Sequence, residues 1–183
     1  CRIRVLEGPM RAAFPSREKT GLKGALIDLL FKLIGLAFVA VILFGLFFGV
    51  VRVEGAGMAP AFKDGDLVLF FRLDTEYAAG DAVVVDVGDG PSVLRVSAGP
   101  FEDIDITEQG VVIDGFVQQE DDIYEKTLLP LDTSVQMPVR LTGDEYFVLG
   151  DGRGHARDSR AFGPVSSRQI QGRAIALFRL RGL

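Results

Sequence analysis

Hydrophobic and polar positions divide this chain near residue 51. Residues 33–51 are nineteen consecutive positions without a charge, none more polar than glycine. As a helix rising 1.5 Å per residue they would cover about 28 Å, roughly one hydrocarbon core. The stretch lacks the polar face that a buried helix of a soluble protein shows. It is also longer, and later in the chain, than the apolar part of a cleaved signal peptide. The pattern predicts one retained transmembrane helix over 33–51, with residues 21–32 (GLKGALIDLLFK) as an amphipathic run-in along the interface.

Beyond residue 51 the hydrophobic period shortens to two. Runs rich in Val, Ile and Phe at 67–73, 82–87, 92–98, 102–107, 111–118, 145–151 and 173–180 are separated by turn residues. That is the pattern of an all-β sandwich or barrel. Asp114-Gly115 between two apolar runs predicts a hairpin, and Gly88-Asp89-Gly90-Pro91 predicts another. Residues 119–143 are the least patterned and are expected to form a long excursion from the barrel. Phe62, Phe70 and Phe71 fit either an apolar rim meeting lipid or an inward-facing core.

Charge gives the two parts different surroundings. Residues 1–32 carry seven Lys/Arg against three acids, net +4, whereas residues 52–183 carry thirteen against twenty-two, net −9. Because basic residues stay on the cytoplasmic side, the expectation is a cytoplasmic basic segment (1–32), a transmembrane helix (33–51) and an extracytoplasmic β domain (52–183). The whole chain, with a net charge of −5 and no basic excess, is not expected to bind nucleic acid. One cysteine, Cys1, excludes an internal disulfide and a cysteine-based zinc site. Cys1 is read as the start of a truncated chain and given no function. The acidic groups Glu102/Asp103/Asp105 and Glu120/Asp121/Asp122 lack the loop spacing of a calcium site and read as solvated faces; no metal or cofactor is expected.

Two segments carry candidate chemistry. Directly after the apolar run stands Val53-Glu54-Gly55-Ala56-Gly57-Met58-Ala59-Pro60, followed by Gly65-Asp66; near the end stands Gly150-Asp151-Gly152-Arg153-Gly154-His155-Ala156-Arg157-Asp158-Ser159-Arg160-Ala161-Phe162-Gly163. In order, spacing and anchor these resemble the type I signal peptidases, over about residues 25–183. That family has a Ser-Met-x-Pro motif outside its membrane helix and a Gly-Asp-Asn…Ser-x-Asp-Ser-Arg-x-x-Gly motif near its end. The resemblance implies a Ser nucleophile and a Lys general base, the latter neutral only where burial lowers its pKa.

Those chemical groups are missing here. The nucleophile position is Gly57, the base position aligns with Leu94 (followed by Arg95), and the position of the base-orienting hydroxyl is Ala156. The Asn of Gly-Asp-Asn is Gly152. Met58, Pro60, Asp66, Gly150, Asp151, Asp158, Ser159, Arg160 and Gly163 keep the motif. Ser92, Ser97 and Lys63 could in principle rebuild a dyad but read more simply as surface residues, as does the single histidine, His155. The combination is similar to the catalytically degenerate signal-peptidase-like pilus accessory proteins of Gram-positive bacteria. That likeness implies a membrane-bound binding or chaperone factor for pilin precursors or a sortase, which would hold extended peptide segments. The alternative is a type I signal peptidase with a rearranged or inactivated site.

Overall fold

The structure is a computed structural model that describes residues 21–120, 123–131 and 133–179. Cys1, most of the basic N-terminal segment, Asp121 and Asp122 lie outside the described residues. The chain forms two compact units, Cys1–Val41 and Ile42–Leu183. Helix α1 (Leu22–Phe47) begins in the first and ends in the second; none of its residues is buried, and it is long and apolar enough to cross a membrane. The Asp28–Lys32 pair, one turn apart at 2.6 Å, joins two of its few charges.

The helix runs earlier and ends sooner than the uncharged stretch predicts. Its last residue is Phe47, and β1 (Phe48–Arg52) takes up the remaining apolar positions. Burial there alternates, with Val51 and Val53 buried and Val50 and Arg52 exposed. This is the period of a strand with one covered face. Gly49 permits the pairing, since a Cβ at that position would lie 2.2 Å from the Phe70 ring. An apolar run alone does not distinguish membrane helix from buried strand, so the hydrophobic pattern carries the helix past Phe47 into residues that form β1.

The remaining strands fall close to their sequence expectations: β2 (Leu67–Phe71), β3 (Ala82–Asp86), β4 (Pro91–Ala98), β5 (Asp103–Thr107), β6 (Gly110–Ile113), β7 (Phe116–Val117), β8 (Val139–Arg140), β9 (Glu145–Leu149), β10 (Val165–Ser166) and β11 (Ile170–Phe178). A short helix, α2 (Ser159–Phe162), precedes β10. The domain is mainly β, in a seven-stranded sheet ordered β1-β2-β11-β3-β4-β9-β10 and a four-stranded sheet ordered β7-β6-β5-β8. All pairs are antiparallel. Asp114 (φ 49°) and Gly115 (φ 82°) turn the β6–β7 hairpin in the left-handed conformation that a tight two-residue turn requires.

Register shifts interrupt β11 between Ala174 and Ala176 and between Ile170 and Gly172, and β4 between Val96 and Ala98. Such bulges increase local twist and curl a sheet. Its two faces are covered separately: Val68, Phe70, Val84 and Val93 belong to a cluster on one face, and Val83, Val85, Leu94, Val96, Tyr146 and Val148 to a cluster on the other, as the alternation along β3 and β4 requires. Phe70 is therefore core, not rim, at 2% exposure; Phe62 packs on the same cluster, while Phe71 is half-buried against Phe48. The expected excursion contains only β8 as regular structure among its described residues.

Candidate functional site

The curl of the sheet creates the site. β1 is an edge strand paired only with β2, and β4 pairs with β9 only from Arg95 onward, leaving Pro91–Leu94 with β3 on one side alone. Although β2, β11 and β3 separate them in hydrogen-bond order, both open edges line one cavity of about 530 Å³. Unpaired main-chain N–H and C=O groups on facing edges are what an extended peptide needs in order to be added as a strand.

Gly57, Leu94 and Ala156 all line this cavity, together with Met58. A Cβ built on Gly57 would lie 3.3 Å from Ala156 Cα and 3.5 Å from its Cβ, so the two positions face each other at contact distance. Leu94 is 4% exposed among Val83, Val96 and Tyr146. Three positions far apart in sequence thus converge, and none carries a group able to attack a carbonyl or move a proton. Ser92 and His155 also line the cavity, with no hydrogen bond between them among the described residues. Lys63 is exposed and Ser97 lines a different cavity.

The floor is built by buried polar contacts. Met58 is 2% exposed, and its Sδ accepts from the Asp151 N–H at 3.4 Å. Asp151 receives a bidentate pair from Arg95, Nε to Oδ1 at 2.8 Å and Nη2 to Oδ2 at 2.6 Å, while Arg95 Nη1 donates to Gly80 O. Asp66, also buried, accepts from Lys63 N and Arg179 Nε and holds the turn that leads into β2. The loop 150–152 packs backbone to backbone on residues 56–57: Gly152 N donates to Gly57 O at 3.0 Å. A Cβ on Gly150 would come within 2.4 Å of Gly57 O, and one on Gly152 within 2.4 Å of Ala56 O. The side chain expected from the family at position 152 has no room in this packing.

Asp158 organises the far end. Its carboxylate accepts from Gly150 N (3.0 Å), Arg160 N (3.1 Å), Arg160 Nε (2.9 Å) and Arg160 Nη2 (2.8 Å), capping α2 and pairing a buried guanidinium at once. Arg160 also donates to Leu128 O and Arg153 O, and Ser159 Oγ accepts from Val148 N. Pro60, by contrast, lies outside the 530 Å³ cavity and lines a neighbouring one with Asp151.

Three contacts were not foreseen from the sequence. Glu120, read as part of a solvated acidic face, pairs with the buried Arg153, and Glu125 accepts from Gly154 N at 2.6 Å, so the excursion is tied to the loop beside the cavity. At the mouth Arg157 pairs with Asp89, both largely exposed. The sequence carries no signal for these contacts: that Arg153 is buried, and so demands a partner, is visible only in the fold. Among the described residues no group of acids, His or Cys could hold a metal ion.

The family profile described as "Signal peptidase, peptidase S26" matches residues 26–179. The chain is similar to Signal peptidase I of Bacillus licheniformis, 25% identical over 88% of this chain and 92% of the relative. It is similar to Signal peptidase I V of Bacillus subtilis strain 168, 27% identical over 66% of this chain and 80% of the relative. A crystal structure of a signal peptidase I from Enterococcus faecalis V583 covers 54% of this chain and 96% of its own, at 20% identity and a TM-score of 0.46.

Proposed function

The chain belongs to the peptidase S26 signal peptidase family, and from that premise we propose that its cleft binds an extended peptide segment without cleaving it. The observation that supports this reading is the convergence of Gly57, Leu94 and Ala156 on one cavity while the frame behind them is complete. Nucleophile, base and base-orienting hydroxyl are replaced by side chains of no acid–base capacity. Loss of the nucleophile or base alone from a hydrolytic unit can cost roughly a millionfold in turnover. The open edges of β1 and β4 keep their capacity to pair with a strand.

In the cell the protein sits in the membrane through α1, in contact with lipid, with its N-terminus in the cytoplasm and residues 52–183 outside. Its partners there are pilin precursors or a sortase, as in the degenerate pilus accessory proteins it resembles. The test is photo-crosslinking in the native membrane from the exposed Ala56, at the cavity rim. Capture of a pilin or sortase is the expected result; capture of bulk lipoproteins alone overturns the assignment of partner.

A second reading, a signal peptidase with a rearranged site, draws support from the signal peptidases I that match over most of their length. Ser92, which lines the cavity, would then be the candidate nucleophile. Cleavage of a precursor that disappears in Ser92→Ala would establish it.

A further inference from the structure

A second cavity, about 310 Å³, lies beside the first, and Ala56 and His155 wall both. A chain laid along the first cavity past Gly57, advancing about 3.3 Å per residue as a strand, reaches the second within a few residues. There it meets Ala59 and Pro60 on one wall and Tyr124 and Glu125, from the excursion, on the other.

The charges around this second cavity do not cancel. Asp151 is satisfied by Arg95, and Glu120 by Arg153. Glu125 is exposed and makes no ion pair among the described residues, either with His155, which lines the same cavity, or with Lys126, next to it in the chain and not part of the wall. Oε2 of Glu125 is fixed by the Gly154 N–H, which leaves Oε1 without a hydrogen-bond partner among the described residues. Tyr124, 82% exposed, stands beside it with a ring face open to a cation.

We propose that the bound segment continues into this second cavity and presents a Lys or Arg there, paired with Glu125 and lying against Tyr124. The inference rests on the peptide-binding reading above and names what that peptide must carry. It also gives the excursion a role, since the Glu120–Arg153 and Glu125–Gly154 contacts fix Tyr124 and Glu125 in place.

The probe is a fluorescein-labelled peptide of Ala, Ser and Val, about twelve residues long, enough to span both cavities when extended, with a single Lys moved through every position. Binding to the full chain in detergent micelles is followed by anisotropy. One position is expected where Lys binds roughly three- to tenfold tighter than Ala, the range for an exposed ion pair plus a cation–π contact. At the same position Glu should weaken binding. Glu125→Gln, whose amide oxygen can still accept from Gly154, and Tyr124→Ala should each reduce the gain from Lys, measured as the ratio of Lys to Lys-free binding on the same variant. A gain that survives unaltered in Glu125→Gln, or no gain at any position, overturns the proposal. Ser92→Trp fills the first cavity, from an exposed position, and separates the two claims. If it abolishes binding of the Lys-free probe and no Lys gain exists, only the present inference fails. If binding is indifferent to it, or no probe binds at all, the peptide-binding reading fails and this inference with it.

Discussion

Replacing Leu94 by Lys tests whether the base position has kept the environment that a lysine base would need. Leu94 is 4% exposed, enclosed by Val83, Val96 and Tyr146, and open on one side to the cleft. Fully buried lysines are depressed by about 3–5 units, and the opening to the cleft argues for the lower end. A depression of about 3 units corresponds to about 4 kcal/mol. Because the folded-state pKa then lies below the unfolded value of about 10.4, the destabilisation is complete below about pH 7.4 and disappears as the pH rises past about 10.4. The measurement is urea denaturation of the full chain in detergent, followed by far-UV circular dichroism from neutral pH to above the lysine range. Leu94→Met, which keeps an apolar side chain of similar volume, serves as the reference, so titrations common to both variants cancel. The expected result is a Leu94→Lys deficit of about 4 kcal/mol at low pH that closes with rising pH. A deficit independent of pH would mean that the introduced ammonium reaches water, and would refute the assignment of Leu94 to a buried base position.

Other consequences concern the frame. Asp158→Asn leaves the buried Arg160 guanidinium without its carboxylate, and should lower stability by about 3 kcal/mol or more in the same denaturation assay. Gly150→Ala places a Cβ 2.2 Å from Ala156 Cβ and 2.4 Å from Gly57 O. It should cost about 2 kcal/mol or more and weaken peptide binding, because the wall carrying Gly57 must move. Burial first, then the Asp74 carboxylate and the neighbouring Tyr146, push the Tyr77 phenol up to about 12. Phenolate absorbance should therefore show one late-ionising tyrosine, and stability should fall between pH 10 and 12, since the unfolded state releases that proton first.

Most of the β domain was legible in the sequence because its strands alternate between one covered and one open face, and because Asp114-Gly115 leaves little choice of turn. The junction at Phe48 was not legible. Val50 and Val51 are as apolar as the helix before them, and only the pairing with Leu69 and Val68 makes them a strand. Gly57 and Ala156 were picked out through their motifs and Leu94 through a strand alignment, and all three line the one cavity. Their meeting in one cavity depends on the curl of a sheet whose bulges are marked locally only at Gly172, a glycine inside β11. The ties from Glu120 and Glu125 to residues 153–154 join segments some thirty positions apart, and a lone carboxylate in an irregular stretch does not name its partner.

The central claim is that this member of the signal peptidase family keeps the cleft and has lost the chemistry. Its most direct test is to incubate the detergent-solubilised full chain with a secretory precursor that an active signal peptidase cleaves, and to look for mature product. The account predicts precursor bound at the cleft and no mature product. Specific cleavage, abolished when Ser92→Trp blocks the cleft, would contradict it.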